Sequence, residues 1–239
     1  LDKALAESVQ RYSSEVSASR DMFLAVLGHD LRGPLSGIRM SSLVLAKPNL
    51  DDAARHKAAA RIQRASTEMG SLITDLLEYT RTRLGAGMPM ALADCDAGAV
   101  CEQALEAIRA GCPEQTFVHT LLGDLHLQAD APRLHQVLSN LLANAVQHGE
   151  GGAPITLRAT GEPDTVVLTV GNQGKPIPPD ALPAIFEPLV RAPSAAAQAQ
   201  ERSKTSLGLG LFIVREIVLG HGGTITVQST IEAGTQFTV

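Results

Sequence analysis

The stretch Gln136-Val-Leu-Ser-Asn-Leu-Leu-Ala-Asn-Ala-Val-Gln-His148 has the periodicity of an amphipathic α-helix. Asn140 and Asn144 stand four residues apart, so both amides share one face of that helix. Amides between apolar side chains are costly to bury unless they are hydrogen-bonded, and Mg²⁺ and triphosphate oxygens would satisfy them. A pair of exposed or capping amides is the alternative that this stretch alone leaves open. The apolar face of the helix is predicted to consist of Leu138, Leu141, Leu142 and Val146.

Helical and strand-like patterns alternate on both sides of this helix, from about residue 89 onward. Asp130 can cap the helix, which is predicted over 131–147. Glu162-Pro-Asp164 predicts a turn between two strands. The second part of the chain is therefore predicted to be an α/β domain. Its strands are predicted at 116–122, 125–128, 154–160, 165–170, 224–229 and 236–239, and its other helices at 96–110 and 209–219.

Two glycine-containing segments of this domain are of a kind that can bind a nucleotide. The segment Val170-Gly-Asn-Gln-Gly-Lys-Pro-Ile-Pro178 predicts a strand that runs into a turn, which is a weak signal by itself. The segment Ser206-Leu-Gly-Leu-Gly-Leu211 opens a helix, and its glycines would let the backbone approach phosphates closely. A lone Gly-x-Gly discriminates poorly, so this segment takes its weight from its order behind the other elements.

A long connection separates these two segments. Residues 190–206 are too long and too featureless for a tight turn, and they are typical of a mobile lid. Arg191, Arg202 and Lys204 could neutralise phosphate charge when such a lid closes. An ordinary solvated loop is the alternative.

The first part of the chain is predicted to be a helical hairpin. The spacing of its apolar residues predicts a long helix over 1–46 and a second helix over 52–84. Pro48-Asn-Leu-Asp51 breaks the first helix, and Asn49 or Asp51 can cap the second. Two helices with one apolar face each enclose little volume, whereas two copies of the hairpin make a four-helix bundle. A homodimer is therefore expected.

His29 lies on the first predicted helix, in the run Phe23-Leu-Ala-Val-Leu-Gly-His-Asp-Leu-Arg-Gly-Pro34. Asp30 could hydrogen-bond the imidazole, fix its tautomer and make the other ring nitrogen the nucleophile. Pro34 removes an N–H group from the helix, so the helix is predicted to bend just beyond the histidine. Taken alone, such a histidine is more often structural or exposed, and the proline can be an ordinary kink. A phosphate acceptor and a phosphate-binding loop in one chain suggest phosphoryl transfer to histidine.

The composition excludes several other classes of protein. Of the 239 residues, 44% are hydrophobic and 19% are charged, so the chain can bury a substantial core. Aromatic residues make up 3% and the net charge is −5, which argues against nucleic-acid binding. No apolar run reaches the roughly 18 residues that a membrane span needs. The three cysteines lack C-x-x-C spacing, so reduced thiols in a cytoplasmic protein are expected rather than zinc ligands or disulfides.

These motifs, in this order, resemble the catalytic core of bacterial two-component sensor histidine kinases over essentially the whole chain. Residues 1–88 resemble the dimerisation and histidine-phosphotransfer domain, and residues 89–239 resemble the GHKL-type ATP-binding domain, an α/β sandwich. The resemblance implies ATP and Mg²⁺ as cofactors, with His29 as the phosphoryl acceptor, Asp30 as its acid–base partner and Asn144 as a ligand of Mg²⁺. It implies a nucleotide site formed by Asn140, Asn144, His148, Asn172, Gly174, Arg191, Gly208, Leu209 and Gly210.

The same resemblance implies the partners. His29 would receive the γ-phosphoryl group of ATP and pass it to an aspartate on the receiver domain of a response regulator. We expect an upstream sensor domain, and any membrane anchor, to lie outside this sequence. Asn140 stands where water-activating relatives of the fold have a glutamate, and an amide is no general base, which favours a kinase over an ATPase.

Several positions depart from the family's pattern. Asn172 replaces the aspartate that accepts a hydrogen bond from the adenine amino group, which predicts retained but weakened ATP binding. Gln147 and His148 replace a common Lys and Tyr, and Ser206 replaces a glycine. These departures support the alternative of a degenerate nucleotide-binding scaffold that regulates a partner without phosphorylating itself. Gly33 stands where the family's phosphatase activity uses Thr or Asn, so weak or absent phosphatase activity is expected.

Overall fold

The computed structural model describes residue 28 and residues 30–83, 88–190 and 208–239. Contacts divide the chain into two compact units, and the division falls between Thr74 and Asp75. No helix within the described ranges is long and apolar enough to cross a membrane. Several residues of the sequence analysis lie outside these ranges, namely His29, Arg191, Arg202, Lys204 and Ser206, as does the predicted helix before residue 28.

The first unit is built from two helices. Helix α1 covers residues 30–45, and helix α2 covers Asp52–Arg83, whose last turns belong to the second unit. The side chain of Asp51 accepts a hydrogen bond from the N–H of Ala54 at 2.7 Å, so Asp51 is the cap of α2. One face of each helix is buried, with Asp30, Pro34 and Ser41 on α1 and Ala58, Ala65 and Leu72 on α2.

The second unit contains a five-stranded mixed sheet. Its strands are β2 (Phe117–Leu122), β4 (Ile155–Gly161), β5 (Val166–Asn172), β6 (Thr226–Thr230) and β7 (Gly234–Thr238). They lie in the order β2-β4-β5-β7-β6, in which only the β2–β4 pair is parallel. Along β4, Ile155, Leu157 and Ala159 are buried while Thr156 and Arg158 are exposed. The sheet is therefore covered on one face.

Three helices form the covering layer: α3 (Ala97–Gly111), α4 (Ala131–His148) and α5 (Gly210–Gly220). The fully buried core comes from both layers and includes Leu105, Leu138, Leu141, Leu142, Ile155, Leu157, Ile213 and Ile217. Val146, predicted on the buried face of α4, is half-buried. The side chain of Asp130 accepts from the N–H of Arg133 at 3.1 Å and caps α4 as predicted. The α/β sandwich expected for this part of the chain is confirmed.

Strand β1 (Ala93–Asp96) was not predicted from the sequence. It pairs antiparallel with β3 (His126–Ala129) to form a separate two-stranded sheet. Its residues Ala-Asp-Cys-Asp alternate between apolar and polar, but over only four positions, which is too short a run to distinguish a strand from its surroundings. The pairing with a distant strand therefore makes β1, rather than local preference.

The last turns of α2 lie within the second unit and pack against α4 and α5 there. Glu78 is 7% exposed and forms an ion pair with Arg133 of α4, and it also accepts a hydrogen bond from Gln136 Nε2 at 2.8 Å. The ring of Tyr79 packs edge-on against Phe212 of α5, with 5.7 Å between the ring centroids. Because these last turns belong to the second unit, the predicted domain boundary at residue 88 stays a prediction.

Asp75, at the start of this packed end, should destabilise the fold at neutral pH. Burial, and secondarily the charge of Glu78, raises the pKa of Asp75 from 3.8 to about 6. The folded chain therefore holds an extra proton between about pH 4 and 6, so stability falls as the pH rises through that window. We expect Asp75→Asn to stabilise the protein by about 1–2 kcal/mol at pH 7.

Denaturant unfolding of both proteins at pH 4, 5, 6 and 7 measures this effect. The stability difference should shrink towards pH 4, which lies well below the folded pKa and close to the unfolded pKa of 3.8. A difference that is the same at pH 4 and pH 7 would contradict the pKa as its cause.

Candidate nucleotide-binding site

The helix α4 is joined to the start of α5 by Asn140. Its Nδ2 donates a hydrogen bond to the carbonyl oxygen of Gly210 at 3.3 Å. This is the bonded state that the sequence analysis required of an amide between apolar residues. Asn144, one turn further along α4, is half-buried. The predicted amide face and the predicted glycine-containing helix start are therefore neighbours.

The carboxyl end of α4 lies beside the turn that follows β5. The N–H of Glu150 donates to the carbonyl oxygen of Gln173 at 2.7 Å. A Cβ atom on Gly174 would lie only 2.5 Å from the carbonyl oxygen of His148, so this approach needs a glycine. Partial desolvation lowers the pKa of His148, which disfavours the charged form of its imidazole.

Asn172 ends β5 at the same place and is 8% exposed. Its Nδ2 donates to the carbonyl oxygen of Gln173 at 3.2 Å. This bond leaves the carbonyl oxygen of the amide, Oδ1, as the group that can accept a hydrogen bond from a ligand. The site thus offers a neutral acceptor where a carboxylate would offer a charged one.

The described residues on either side of the predicted lid lie together. The N–H of Leu189 donates to the carbonyl oxygen of Gly208 at 3.1 Å. Gly208 has φ of +65°, and a Cβ atom there would lie 3.0 Å from the carbonyl oxygen of Val190. Leu209 is 1% exposed, so its side chain belongs to the core and only its backbone could reach a ligand.

The structure therefore brings most of the predicted nucleotide-site residues together in two groups, one beside the middle of α4 and one at its end. Asn140 contacts Gly210, while His148, Asn172 and Gly174 lie together at the end of α4. Asp30, predicted to assist His29, is 1% exposed on α1 in the first unit. His29 and Arg191 lie outside the described residues, and so their predicted roles stay predictions.

The sequence analysis missed the residues that hold the turn after β5. The hydroxyl of Ser229 accepts a hydrogen bond from the N–H of Ile177 at 2.9 Å, and it lies 2.7 Å from the hydroxyl of Thr235. The only sign of them in the sequence was that Ser229 and Thr235 are hydroxyl residues at core-facing positions of short strands. Without the pairing of β6 with β7, these positions could not be recognised as neighbours.

Comparison with known protein families gives two matches. Residues 129–239 match the sequence model described as "Histidine kinase-, DNA gyrase B-, and HSP90-like ATPase". Residues 19–85 match the "His Kinase A (phospho-acceptor) domain". The fold and the site therefore define an ATP-binding protein of the histidine kinase, gyrase and HSP90 type, preceded by a phospho-acceptor helical domain. The chain belongs to the family of sensor histidine kinases.

Individual relatives agree with this assignment. The chain is 34% identical over 224 residues to the alginate biosynthesis sensor protein KinB of Pseudomonas aeruginosa, covering 91% of this chain and 36% of KinB. It is 32% identical to the probable sensor histidine kinase TcrY of Mycobacterium tuberculosis, covering 96% of this chain and 47% of TcrY. It is 30% identical to the kinase/phosphatase MprB of Mycobacterium sp. (strain KMS), covering 97% of this chain and 43% of MprB. The chain thus spans about a third to a half of these relatives.

Solved structures share the fold. The histidine kinase AdeS of Acinetobacter baumannii superimposes with a TM-score of 0.62 at 20% identity, covering 88% of this chain and 95% of AdeS. The histidine kinase ThkA, solved in complex with the response regulator protein TrrA, gives a TM-score of 0.60 at 22% identity, covering 96% of this chain and 63% of ThkA. At these sequence identities the structural similarity establishes the fold and no more.

Proposed function

We propose that this chain is the kinase core of a cytoplasmic signalling protein that phosphorylates itself on His29 from ATP. The observation that carries the proposal is the meeting of two pairs of motifs along α4, Asn140 with Gly210 in its middle and His148 with Asn172 and Gly174 at its end. These are the positions at which the family's nucleotide-binding motifs fall. The ATPase-type fold of residues 129–239 itself implies ATP binding.

The residues present fit a nucleotide. Gly174 lets the turn after β5 approach the carbonyl oxygen of His148 more closely than a residue with a Cβ atom could, and Asn172 keeps an acceptor oxygen in a buried position. In our proposal Asn172 accepts from the 6-amino group of adenine, and the backbone at Gly208, Leu209 and Gly210 approaches the phosphates. Arg191 is proposed as a neutralising charge on the lid.

Mg²⁺ would be held by Asn144 and by phosphate oxygens, and when bound it neutralises charge on the transferred group. The half-buried amide of Asn144 on α4 supplies the kind of neutral oxygen ligand that Mg²⁺ accepts. Asn140, bonded to Gly210, has no basic group with which to activate water. This favours keeping ATP for a protein acceptor over hydrolysing it.

In the proposed reaction, a nitrogen of His29 attacks the γ-phosphorus while the bond to the leaving oxygen of ADP breaks. Asp30 takes the proton from the other ring nitrogen, so the phosphohistidine product is neutral at the imidazole. The phosphoryl group then moves to an aspartate carboxylate of a response regulator, which breaks the P–N bond and forms an acyl phosphate. The complex of ThkA with a response regulator supports this choice of partner.

We propose a homodimer formed through the helical hairpin. Leu35, Met40 and Leu43 of α1 are 55–60% exposed within a single chain, although they are large and apolar. Burying such residues between two copies is the usual way to complete a four-helix bundle. The match of residues 19–85 to the His Kinase A domain supports the same arrangement.

Incubation of the protein with γ-labelled ATP and Mg²⁺ tests the proposed reaction. The expected label is stable in base and lost in acid, as phosphohistidine is, and it should chase onto an isolated receiver domain. Nucleotide binding without any such label would favour the degenerate scaffold and overturn the proposal.

Asn172 should weaken ATP binding without abolishing it. A charged acceptor makes a hydrogen bond that is stronger than a neutral one by about 1 kcal/mol. Asn172→Asp gives up the Nδ2 bond to Gln173 but gains this charge, and so we expect ATP to bind about two- to fivefold more tightly. Displacement of a fluorescent nucleotide measures the change. Absent nucleotide binding by the wild type, or a preference for GTP, would contradict this role.

Phosphatase activity towards the phosphorylated regulator should be weak. Gly33 is an exposed residue of α1, one helical turn after His29, and it has no side chain with which to orient water. We expect Gly33→Thr to accelerate loss of phosphate from a phosphorylated receiver domain, with Gly37→Thr as the control on the same helix. MprB is named both a kinase and a phosphatase, so rapid dephosphorylation by the wild type is the contrary outcome to look for.

A further inference from the structure

The turn that follows β5 is tied to the far edge of the sheet by one side chain. Ile177, within this turn, donates its backbone N–H to the hydroxyl oxygen of Ser229 on β6 at 2.9 Å. Strand β6 is the edge strand of the sheet, whereas the turn leaves from the central strand β5. The hydrogen bond therefore spans two strand positions and fixes a loop that has no ladder partner of its own.

Ser229 is in turn held by Thr235. Their hydroxyl oxygens lie 2.7 Å apart, and the two residues are direct cross-strand partners in the β6–β7 ladder. Thr235 is 6% exposed, so its hydroxyl has little access to water and depends on this partner. The positions of the two hydroxyl groups are therefore fixed by the sheet itself.

Strand β7, which carries Thr235, also fixes the other end of the turn. Thr235 is the ladder partner of Asn172, the last residue of β5. Gly234, with φ of +72°, brings the start of β7 so close to the carbonyl oxygen of Asn172 that a Cβ atom would collide with it. Thr235 therefore contributes to both ends of the turn, by its backbone at Asn172 and by its hydroxyl, through Ser229, at Ile177.

We propose that Ser229 and Thr235 are positioning residues for recognition of the purine base, acting through the turn from Asn172 to Ile177. This inference rests on the proposed function, in which Asn172 accepts from the 6-amino group. A carboxylate could accept through either of two oxygens, whereas the amide accepts through Oδ1 alone, so the contribution of Asn172 depends more on a fixed direction. The hydroxyl pair supplies that direction at a distance from the ligand.

The expected signature is a loss of base discrimination. ITP carries an acceptor oxygen where ATP carries the 6-amino donor, so a well-directed Asn172 Oδ1 favours ATP over ITP. When the turn is released, Ser229→Ala should weaken ATP binding about fivefold, which corresponds to the loss of one hydrogen bond. ITP binding should change much less, so the ratio of the two dissociation constants falls.

Titration of the nucleotide-free protein with ATP and with ITP, by displacement of a fluorescent nucleotide, tests the proposal. Thr235→Val, which keeps the shape of the side chain, should act like Ser229→Ala, and the double variant should lose no more than either. Ser229→Thr keeps a hydroxyl and should retain the wild-type ratio. Thr238→Val is the matched control, because the Thr169–Thr238 hydroxyl pair at 3.3 Å joins β5 to β7 away from the turn.

Hydrogen exchange without nucleotide provides an independent readout. The amide of Ile177 should exchange faster in Ser229→Ala than in the wild type, and as slowly in the Thr238→Val control as in the wild type. Equal exchange of the Ile177 amide in the wild type and in Ser229→Ala would show that the hydrogen bond from Ile177 to Ser229 does not hold the turn. An unchanged ATP-to-ITP ratio, or an equal loss in the Thr238→Val control, would overturn its role in base recognition. Failure of the wild type to bind ATP would instead remove the proposed function, while the exchange result still decides the tie.

Discussion

His29→Ala should abolish incorporation of acid-labile label from γ-labelled ATP, lowering it by at least about a thousandfold. The reason is chemical: the substitution removes the nitrogen that forms the P–N bond, and alanine offers no other nucleophile. ATP binding should be unchanged, because the nucleotide-site residues brought together by the fold belong to the second unit. A phosphor image of the labelled protein and a nucleotide titration measure the two effects separately.

His56→Ala is the matched control for this variant. His56 is an exposed histidine on α2 whose ring nitrogen Nδ1 lies 2.8 Å from the carbonyl oxygen of Asp52. Its removal should leave the label unaffected. Full labelling of His29→Ala, or loss of label in His56→Ala alone, would place the phosphoryl acceptor elsewhere in the chain.

Gly174→Ala should weaken ATP binding by about tenfold or more. The added Cβ atom would lie 2.5 Å from the carbonyl oxygen of His148, so either the end of α4 or the turn after β5 must move. Because both are backbone, neither can yield as a flexible side chain would. The displacement acts on the turn that begins at Asn172, the proposed acceptor for the base, and so Asn172 Oδ1 loses its direction.

The kinetic consequence distinguishes this variant from the first. Gly174→Ala should label fully when ATP is raised far above the wild-type dissociation constant, whereas His29→Ala should not label at any concentration. Gly151→Ala is the control, since a Cβ atom on this exposed glycine would have nothing within 4 Å. Wild-type affinity in Gly174→Ala would mean that the turn and the end of α4 are not part of the nucleotide site.

The helices and strands of the second unit were predictable where local pattern and burial agree. Leu138, Leu141 and Leu142 repeat at helical spacing, and all three are fully buried on α4. Asp130 and Asp51 were recognisable as caps because a short acidic side chain before a helical pattern accepts hydrogen bonds from its first N–H groups. Strand β1 escaped prediction because its pairing with β3 is not written in its own four residues.

The candidate site likewise contains residues that the sequence could identify and residues that it could not. Asn140, Asn144 and the glycines could be singled out because their residue types and order carry the family's pattern, and Asn172 because it stands where that pattern has an aspartate. Ser229 and Thr235 could not, because a serine and a threonine on short strands look like ordinary surface residues until the register of β6 against β7 is known.

The sequence by itself determined the two-part organisation, and it singled out the candidate acceptor histidine and the residues proposed for ATP, because each of these depends on residue type and on spacing along the chain. The tertiary structure alone decided that Asn140 bonds to Gly210, that Gly174 meets His148, and that a hydroxyl pair holds the turn after Asn172. These contacts join residues from 26 to 70 positions apart or across strand registers, and only the packing of helices on a twisted sheet brings such groups within hydrogen-bond distance.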